Sequence, residues 1–533
     1  MTGRAVSNDI TSEITSLAGI SRHWAKATPA TTAITAGERT WTFAELDAES
    51  CRVAQGLQTL GVGAGSRVAY LDKNTPEYFT HLFGGAKLNA VSVAVNWRLA
   101  PPEMEFIIDD ADAEVVFVGE DFLGHLAQMT LPKVRQVVVI GDPGDSGHVA
   151  YDDWIAPFDP IDPNRPIAGS DTCYQLYTSG TTGLPKGVEL TNDNLLATMG
   201  VGRDAWRFHG DDLVNLVAMP LFHIAGSGWA LAGMVNGAHT VMTKEVDPLE
   251  IIELIPKHRI THALLVPAVL QFVLAVPGAS DGDFSSMRSL VYGASPISEA
   301  VLTGSIALFG CDFMQAYGLT ETTGGVVQLD PDDHDPGGDR AHLLRAAGKP
   351  WGDVELRIVD PETSTETSTD LPDGEVGEVW VRSKQVMKGY WKNPEATAAS
   401  IVDGWFRTGD AGYLIDGYLY SHDRVKDMVV SGGENIYPAE VENALMKHPA
   451  VADVAVIGVP HEKWGESVKA VVVRTDPDLA EADLLAFAKQ HLASYKCPTS
   501  IDWVAALPRN PSGKVLKTEL RAPYWEGRTR RVN

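Results

Sequence analysis

The densest run of phosphate-handling residue types is Tyr177-Thr-Ser-Gly-Thr-Thr-Gly-Leu-Pro-Lys-Gly187. Thr178, Ser179, Thr181 and Thr182 supply hydroxyls; Gly180, Gly183 and Gly187 let backbone N–H groups come close to an oxyanion; Lys186 adds a mobile cation. Together they make a phosphate cradle. It is not the GxxxxGK[ST] loop, because Lys186 stands between Pro185 and Gly187. Gly61-Val-Gly-Ala-Gly65 imitates a dinucleotide fingerprint but precedes a strand, and reads as a loop.

Other chemistry-bearing residues are ordinary in isolation. Tyr317 and Glu321 bracket YGLTE, Asp410 closes GWFRTGD, and Lys514 and Lys517 lie in PSGKVLK. A lone Asp or Arg is usually a solvated charge, a lone Tyr a core aromatic, and His223 on its apolar stretch a core histidine. The acidic run LDPDDHDPGGD (329–339) misses the EF-hand spacing and its closing Glu, and reads as a solvated loop.

The elements that must hold these residues alternate. SRVAYL (66–71), AEVVFVG (113–119) and VRQVVVIG (134–141) are β-branched runs, and Phe43 to Leu60 is a helix announced by Thr42 and Glu45 in a capping box. This is an α/β pattern with largely parallel sheets. From about Leu371 to Asp427, short runs and frequent glycines predict antiparallel β structure. Strand and helix then return, at 439–448, 451–459, 468–474 and 479–492, in a separate C-terminal domain reached through a linker at His422–Asp427.

The 533 residues, 44% of them hydrophobic, exceed one domain's worth and fall outside the disordered regime. A net charge of −27 excludes bulk nucleic-acid binding and anionic-membrane attachment by mean field. Cys51, Cys173, Cys311 and Cys497 form no CxxC pair, which suggests neither disulfide framework nor zinc, and a reducing cytoplasm. The first residues lack an apolar signal region. Leu213 to Thr243 carries no formal charge, but Pro220 and glycines 226, 228, 233 and 237 break it, predicting strand, turn and buried helix in place of a transmembrane span.

YTSGTTGLPKG resembles the phosphate-binding signature of the adenylate-forming superfamily of acyl-CoA synthetases, aryl-CoA ligases, luciferases and peptide-synthetase adenylation domains. PLFHIAG (220–226), YGAS (292–295), QAYGLTE (315–321), GWFRTGD (404–410), DRVKDMVVSGGENIYPAEVE (423–442) and LPRNPSGKVLK (507–517) follow in the family's order, and ERTWTFAELDAES resembles its opening. The resemblance implies a large N-terminal domain, 1–423, of stacked α/β subdomains with a small β-barrel-like part. A hinge joins it to a small mobile α+β C-terminal domain, 424–533.

It also implies ATP, Mg²⁺ and CoA as cofactors and an acyl-adenylate intermediate. Glu321 matches the Mg²⁺ ligand, Thr320 a phosphate contact, and Tyr317 with Gly293, Ala294 and Ser295 the adenine slot. Asp410 and Arg424 match the ribose contacts, Lys514 the catalytic lysine, with Lys517 its rival, and Lys426 the hinge. Ser431, Gly432 and Gly433 match a loop that approaches the adenylate once the C-terminal domain rotates. His223 matches a residue at the mouth of the acyl pocket, assigned to positioning because a carboxylate is already ionised at pH 7. Trp229 matches the pocket lining, and reads equally well as core.

The expected reaction is ligation of an apolar acid, a medium- or long-chain fatty acid, to CoA. The alternatives are an aryl, steroid-derived or sulfur-containing acid, a luciferase-like oxygenase, or a nucleotide-binding protein without catalysis. Phe222-His223 stands where amino-acid-activating domains carry Phe-Asp, which argues against that class. Partners are therefore small molecules, with peripheral membrane contact and a homodimer left open. Seven Lys/Arg from Arg509 to Arg531 against Glu519 and Glu526 make a basic segment beside Lys514 in an otherwise acidic chain.

Overall fold

The computed structural model describes residues 13–178, 184–295, 297–360, 369–424, 427–431, 434–509 and 515–526, without the side chains of 422–424, 434 and 435. Two large sheets dominate. The first has eight strands, in the order Gly389–Tyr390, Lys186–Thr191, Thr172–Thr178, Val91–Ala94, Arg67–Leu71, Ala113–Gly119, Gln136–Ile140 and Val149–Ala150. Its strands from Thr172–Thr178 onward are parallel, and the two at the other edge are antiparallel. The second, of nine strands, has Asp312–Leu319, Ser289–Gly293, His262–Leu264, Val214–Val217, His239–Met242 and Thr32–Ala36 as its parallel centre.

Strand alternation explains why both faces are covered. Val68, Tyr70, Val115 and Phe117 join one core with Val217, Val291 and Met314 of the second sheet. The residues between them, Ala69, Leu71, Val116 and Val118, pack on the outer helix Pro101–Asp110 through Met104, Ile107 and Ile108. Parallel sheets buried on both sides read this way, as continuous apolar runs. The helix Glu77–Lys87 is buried at every residue. Its Lys87 ammonium, fully shielded from water, pairs with Asp47 and reaches Ser21 at 3.1 Å. Helix Phe43–Thr59 begins with the predicted capping box: Glu45 N–H donates to Thr42 Oγ1 at 3.2 Å and Thr42 N–H to Glu45 Oε2 at 2.8 Å.

The uncharged stretch resolves into strand Val214–Val217, a turn, helix Ile224–Val235 and strand His239–Met242. Twelve residues make about 18 Å of helix, short of a bilayer. Among the described residues no helix is long and apolar enough to cross a membrane.

A five-stranded antiparallel sheet follows, containing Gly377–Arg382, Trp405–Ile415 and Tyr418–Arg424. Here two expectations change. The proposed linker His422–Asp427 starts inside a strand, because backbone pairing continues to Asp410 opposite Arg424. The acidic run 329–339 is also more than a solvated loop: Asp333 is buried, pairs with Arg340 and accepts from Tyr418 Oη at 3.1 Å. The fourth sheet, with Val429–Ser431, Val451–His461, Gly465–Arg474 and Ser500–Trp503, carries helices Pro438–Leu445, Glu481–His491 and Lys517–Trp525 and has its own core around Val456, Val472 and Leu484.

Candidate active site

Thr178 ends one strand and Lys186 begins the next, and the two are paired in an antiparallel ladder, so the ends of the phosphate loop are fixed side by side. Residues 179–183 lie outside the described residues. Across the ladder, Gly389–Tyr390 pairs with the same strand, Tyr390 opposite Val188.

Glu321 enters from the second sheet. Strand Asp312–Leu319 ends in the single turn Thr320–Thr322, which Thr323 terminates at φ 57°. The Glu321 carboxylate, 9% exposed, accepts at Oε1 from Thr178 Oγ1 at 3.3 Å and from Tyr390 Oη at 3.0 Å. Its backbone carbonyl takes Met387 N–H at 2.8 Å. A hard, hydrogen-bonded oxygen donor beside a phosphate loop suits Mg²⁺, which is usually held by one or two carboxylates with phosphates and water. Among the described residues, no group of three or more His, Cys, Asp or Glu is placed to hold a metal ion.

The adenine and ribose candidates also meet. Tyr317, two residues before the end of its strand, donates from Oη to Asp410 Oδ2 at 2.9 Å. Gly293 ends the neighbouring strand, where a Cβ would collide with the Ala316 carbonyl oxygen, and Ala294 turns the chain at φ 65° towards Ser295. Close passage of backbone past the Tyr317 strand therefore depends on Gly293.

His223 precedes helix Ile224–Val235. Gly226 lets the helix start against the Pro220 and Met219 carbonyls, where any Cβ would clash. The His223 Nε2 is shut off from solvent and has no hydrogen-bond partner among the described residues. Burial, with the Arg98 charge adding to it, lowers the imidazole to about 4. It is therefore neutral at pH 7, with one ring N–H and one acceptor nitrogen, and is not an acid there. Trp229 is 2% exposed, donates from Nε1 to the Leu216 carbonyl at 3.1 Å and packs on Trp206 and Phe208. Swinging aside would break that bond and those ring contacts, so the indole is held in place within the core.

In the C-terminal part, Ser431 closes strand Val429–Ser431, while Lys426, Gly432, Gly433, Lys514 and the Arg424 side chain lie outside what is described. Lys517, the rival to Lys514, is engaged with Glu442 at 2.9 Å. Asp427 pairs with Arg521 at 2.7 Å, and Arg509 with Asp453 at 2.6 Å. Three cations of the basic segment are thus committed internally. Sequence reasoning missed Tyr390; its only signal was an aromatic hydroxyl in KGYW at 388–391.

The AMP-binding enzyme family matches residues 21–391, and the AMP-binding enzyme C-terminal domain matches 440–514. The chain is 40% identical over 513 residues to the fatty acid–[acyl-carrier-protein] ligase ScoC of Streptomyces coeruleorubidus, covering 95% of this chain and 96% of the relative. It is 38% identical to a feruloyl-CoA synthase of an Amycolatopsis species over 94% of this chain and 97% of the other. The crystal structure of the anthranilate CoA ligase AuaEII with anthranoyl-AMP superposes with a TM-score of 0.87 at 29% identity, over 96% and 98% of the two chains. The two family matches, with these relatives and this fold, identify the chain as a member of the AMP-binding enzyme family, an adenylate-forming acid–thiol ligase.

Proposed function

We propose that this ligase activates an apolar carboxylic acid, a medium- or long-chain fatty acid, and transfers it to CoA. An acid oxygen attacks the α-phosphorus of ATP; the O–P bond of the acyl-adenylate forms as the bond to pyrophosphate breaks. The CoA thiolate then attacks the acyl carbon, forming the thioester and releasing AMP. The observation that carries this reading is the 3.3 Å bond from Thr178 to Glu321, which brings the start of the YTSGTTGLPKG signature to the end of YGLTE, residues 143 apart in the chain.

Bound Mg²⁺ would supply charge neutralisation for the phosphates, with Glu321 as its protein ligand. The chain's own residues do the rest by placement and electrostatics. In this reading Thr178, Ser179, Gly180, Thr181, Thr182, Gly183 and Lys186 cradle the phosphates with Thr320, Tyr317 stacks adenine beside Gly293, Ala294 and Ser295, and Asp410 with Arg424 holds the ribose. His223 positions the acid and Trp229 walls its pocket. Lys514 bridges carboxylate and nucleotide during adenylation. The domains are 1–423 and 424–533, and rotation about Lys426 exchanges Lys514 for the Ser431-Gly432-Gly433 loop in the second half-reaction. With its four free cysteines the protein is assigned to the cytoplasm.

A second reading, an aryl acid, is favoured by the fixed indole of Trp229, which offers a flat wall. The test is pyrophosphate release with ATP and Mg²⁺ across fatty, aryl and steroid-derived acids, then thioester formation with CoA or an acyl-carrier protein. The fatty-acid reading expects the highest kcat/KM on medium or long chains. No release with any acid would refute catalysis, and preference for a carrier protein would refute CoA as acceptor. Lys514→Ala should abolish adenylation while sparing thioester formation from supplied acyl-adenylate; equal loss of both would refute the rotation.

A further inference from the structure

Tyr390 touches both charged groups of the phosphate site. Its hydroxyl donates to Glu321 Oε1 at 3.0 Å, and its ring carries the Lys186 ammonium 4.9 Å from the centroid. Tyr390 thus meets an anion through its hydroxyl and a cation through its ring. Its place is set by the fold: the backbone of Tyr390 pairs with Val188, two residues from Lys186, and the Tyr390 N–H donates to Thr397 Oγ1 at 2.9 Å. The next residue, Trp391, is clamped as well, its Nε1 donating to the Asp110 carbonyl at 2.9 Å and its ring stacked under Arg67 at 3.4 Å. Gly389 at φ 157°, with Thr397 where its Cβ would be, permits the turn that brings the ring in.

We infer that Tyr390 is a positioning residue for ATP·Mg²⁺ binding: its hydroxyl orients the Glu321 carboxylate, while its ring holds Lys186 apart from that carboxylate and aimed at the phosphates. A carboxylate held by two hydroxyls at one oxygen keeps its orientation before any cation arrives, and partners of this kind commonly govern metal affinity. A lysine held on an aromatic face keeps its charge available, whereas an ammonium collapsed onto Glu321 would neutralise the metal ligand and the phosphate contact together.

The inference rests on the ATP-dependent reading, and its test separates the two. ATP binding is measured by calorimetry without acid, across a Mg²⁺ titration and in chelator, so no turnover is involved. Tyr390→Phe, which keeps the ring, should lower apparent Mg²⁺ affinity roughly tenfold and leave ATP binding in chelator unchanged. Tyr390→Leu should also weaken binding in chelator, because Lys186 loses its support. In a Glu321→Gln background, Tyr390→Phe should add no further Mg²⁺ defect. Wild-type Mg²⁺ dependence in Tyr390→Phe, or equal losses with and without metal, would overturn the positioning role. Failure of the wild-type protein to bind ATP would overturn the functional reading itself.

Discussion

Acidification from pH 6.5 to 4.5 should destabilise the fold through four histidines. Burial lowers His81, His223, His239 and His262 each to about 4 from the usual 6.5. As pH falls through 6.5 the unfolded chain takes up protons that these folded imidazoles refuse until about 4, so their stabilisation is present above 6.5 and lost below it. Integrated over the interval, each loses about 2 kcal/mol, or about 8 for the four. Asp72 works the other way. Burial pushes its carboxyl up to about 7, so the folded protein holds a proton the unfolded chain releases, and acidification returns about 2–3 kcal/mol. The net loss is about 6 kcal/mol, comparable with a whole domain's stability. The direct assay is potentiometric: at pH 5.5 urea unfolding should take up about 2.5 protons per chain from these five groups. A proton count does not require a single two-state transition. His239→Asn should reduce the uptake by nearly one proton. Zero uptake, or release, would refute the assignment of these imidazoles as buried and neutral.

Asp410→Asn should raise the KM for ATP by about 10- to 100-fold, the range expected when a charge-assisted contact is lost, and initial-rate kinetics with saturating acid would measure it. Gly226→Ala puts a methyl into the Pro220 and Met219 carbonyls; it should cost about 1–3 kcal/mol and raise the KM for the acid, read by thermal unfolding and an acid titration. Lys87→Met strands Asp47 without its fully buried cation, and should cost about 3–5 kcal/mol in urea unfolding.

Local signals in the sequence were legible where local physics decides. The Thr42–Glu45 capping box, the β-branched strands and the strand-turn-helix reading of 213–243 depend on neighbours a few residues apart, and the structure reproduces them. The site was legible only through a full set of motifs, because Tyr317 meets Asp410 across 93 residues and Thr178 meets Glu321 across 143. What sequence could not reveal is burial created by distant packing. Asp333 looks solvated until Arg340 and Tyr418 cover it. His223 reads as a core histidine with its hydrogen bonds made, but its buried Nε2 has no partner among the described residues. Arg424 looks like linker until Asp410 pairs with it, and Tyr390 looks like a loop aromatic until it reaches Glu321.

The internal ion pairs of Arg509, Lys517 and Arg521 bear on the rate at which substrates arrive. Each of these three cations has its nearby field cancelled by a neighbouring carboxylate, so none of them forms a local positive patch against the far field of a chain with net charge −27. Approaching ATP and any other polyanionic substrate meet a repulsive field over most of the surface. Salt shortens the reach of that field to about 8 Å at physiological ionic strength. Added salt should therefore accelerate their association with this enzyme, the reverse of the behaviour of an electrostatically steered pair.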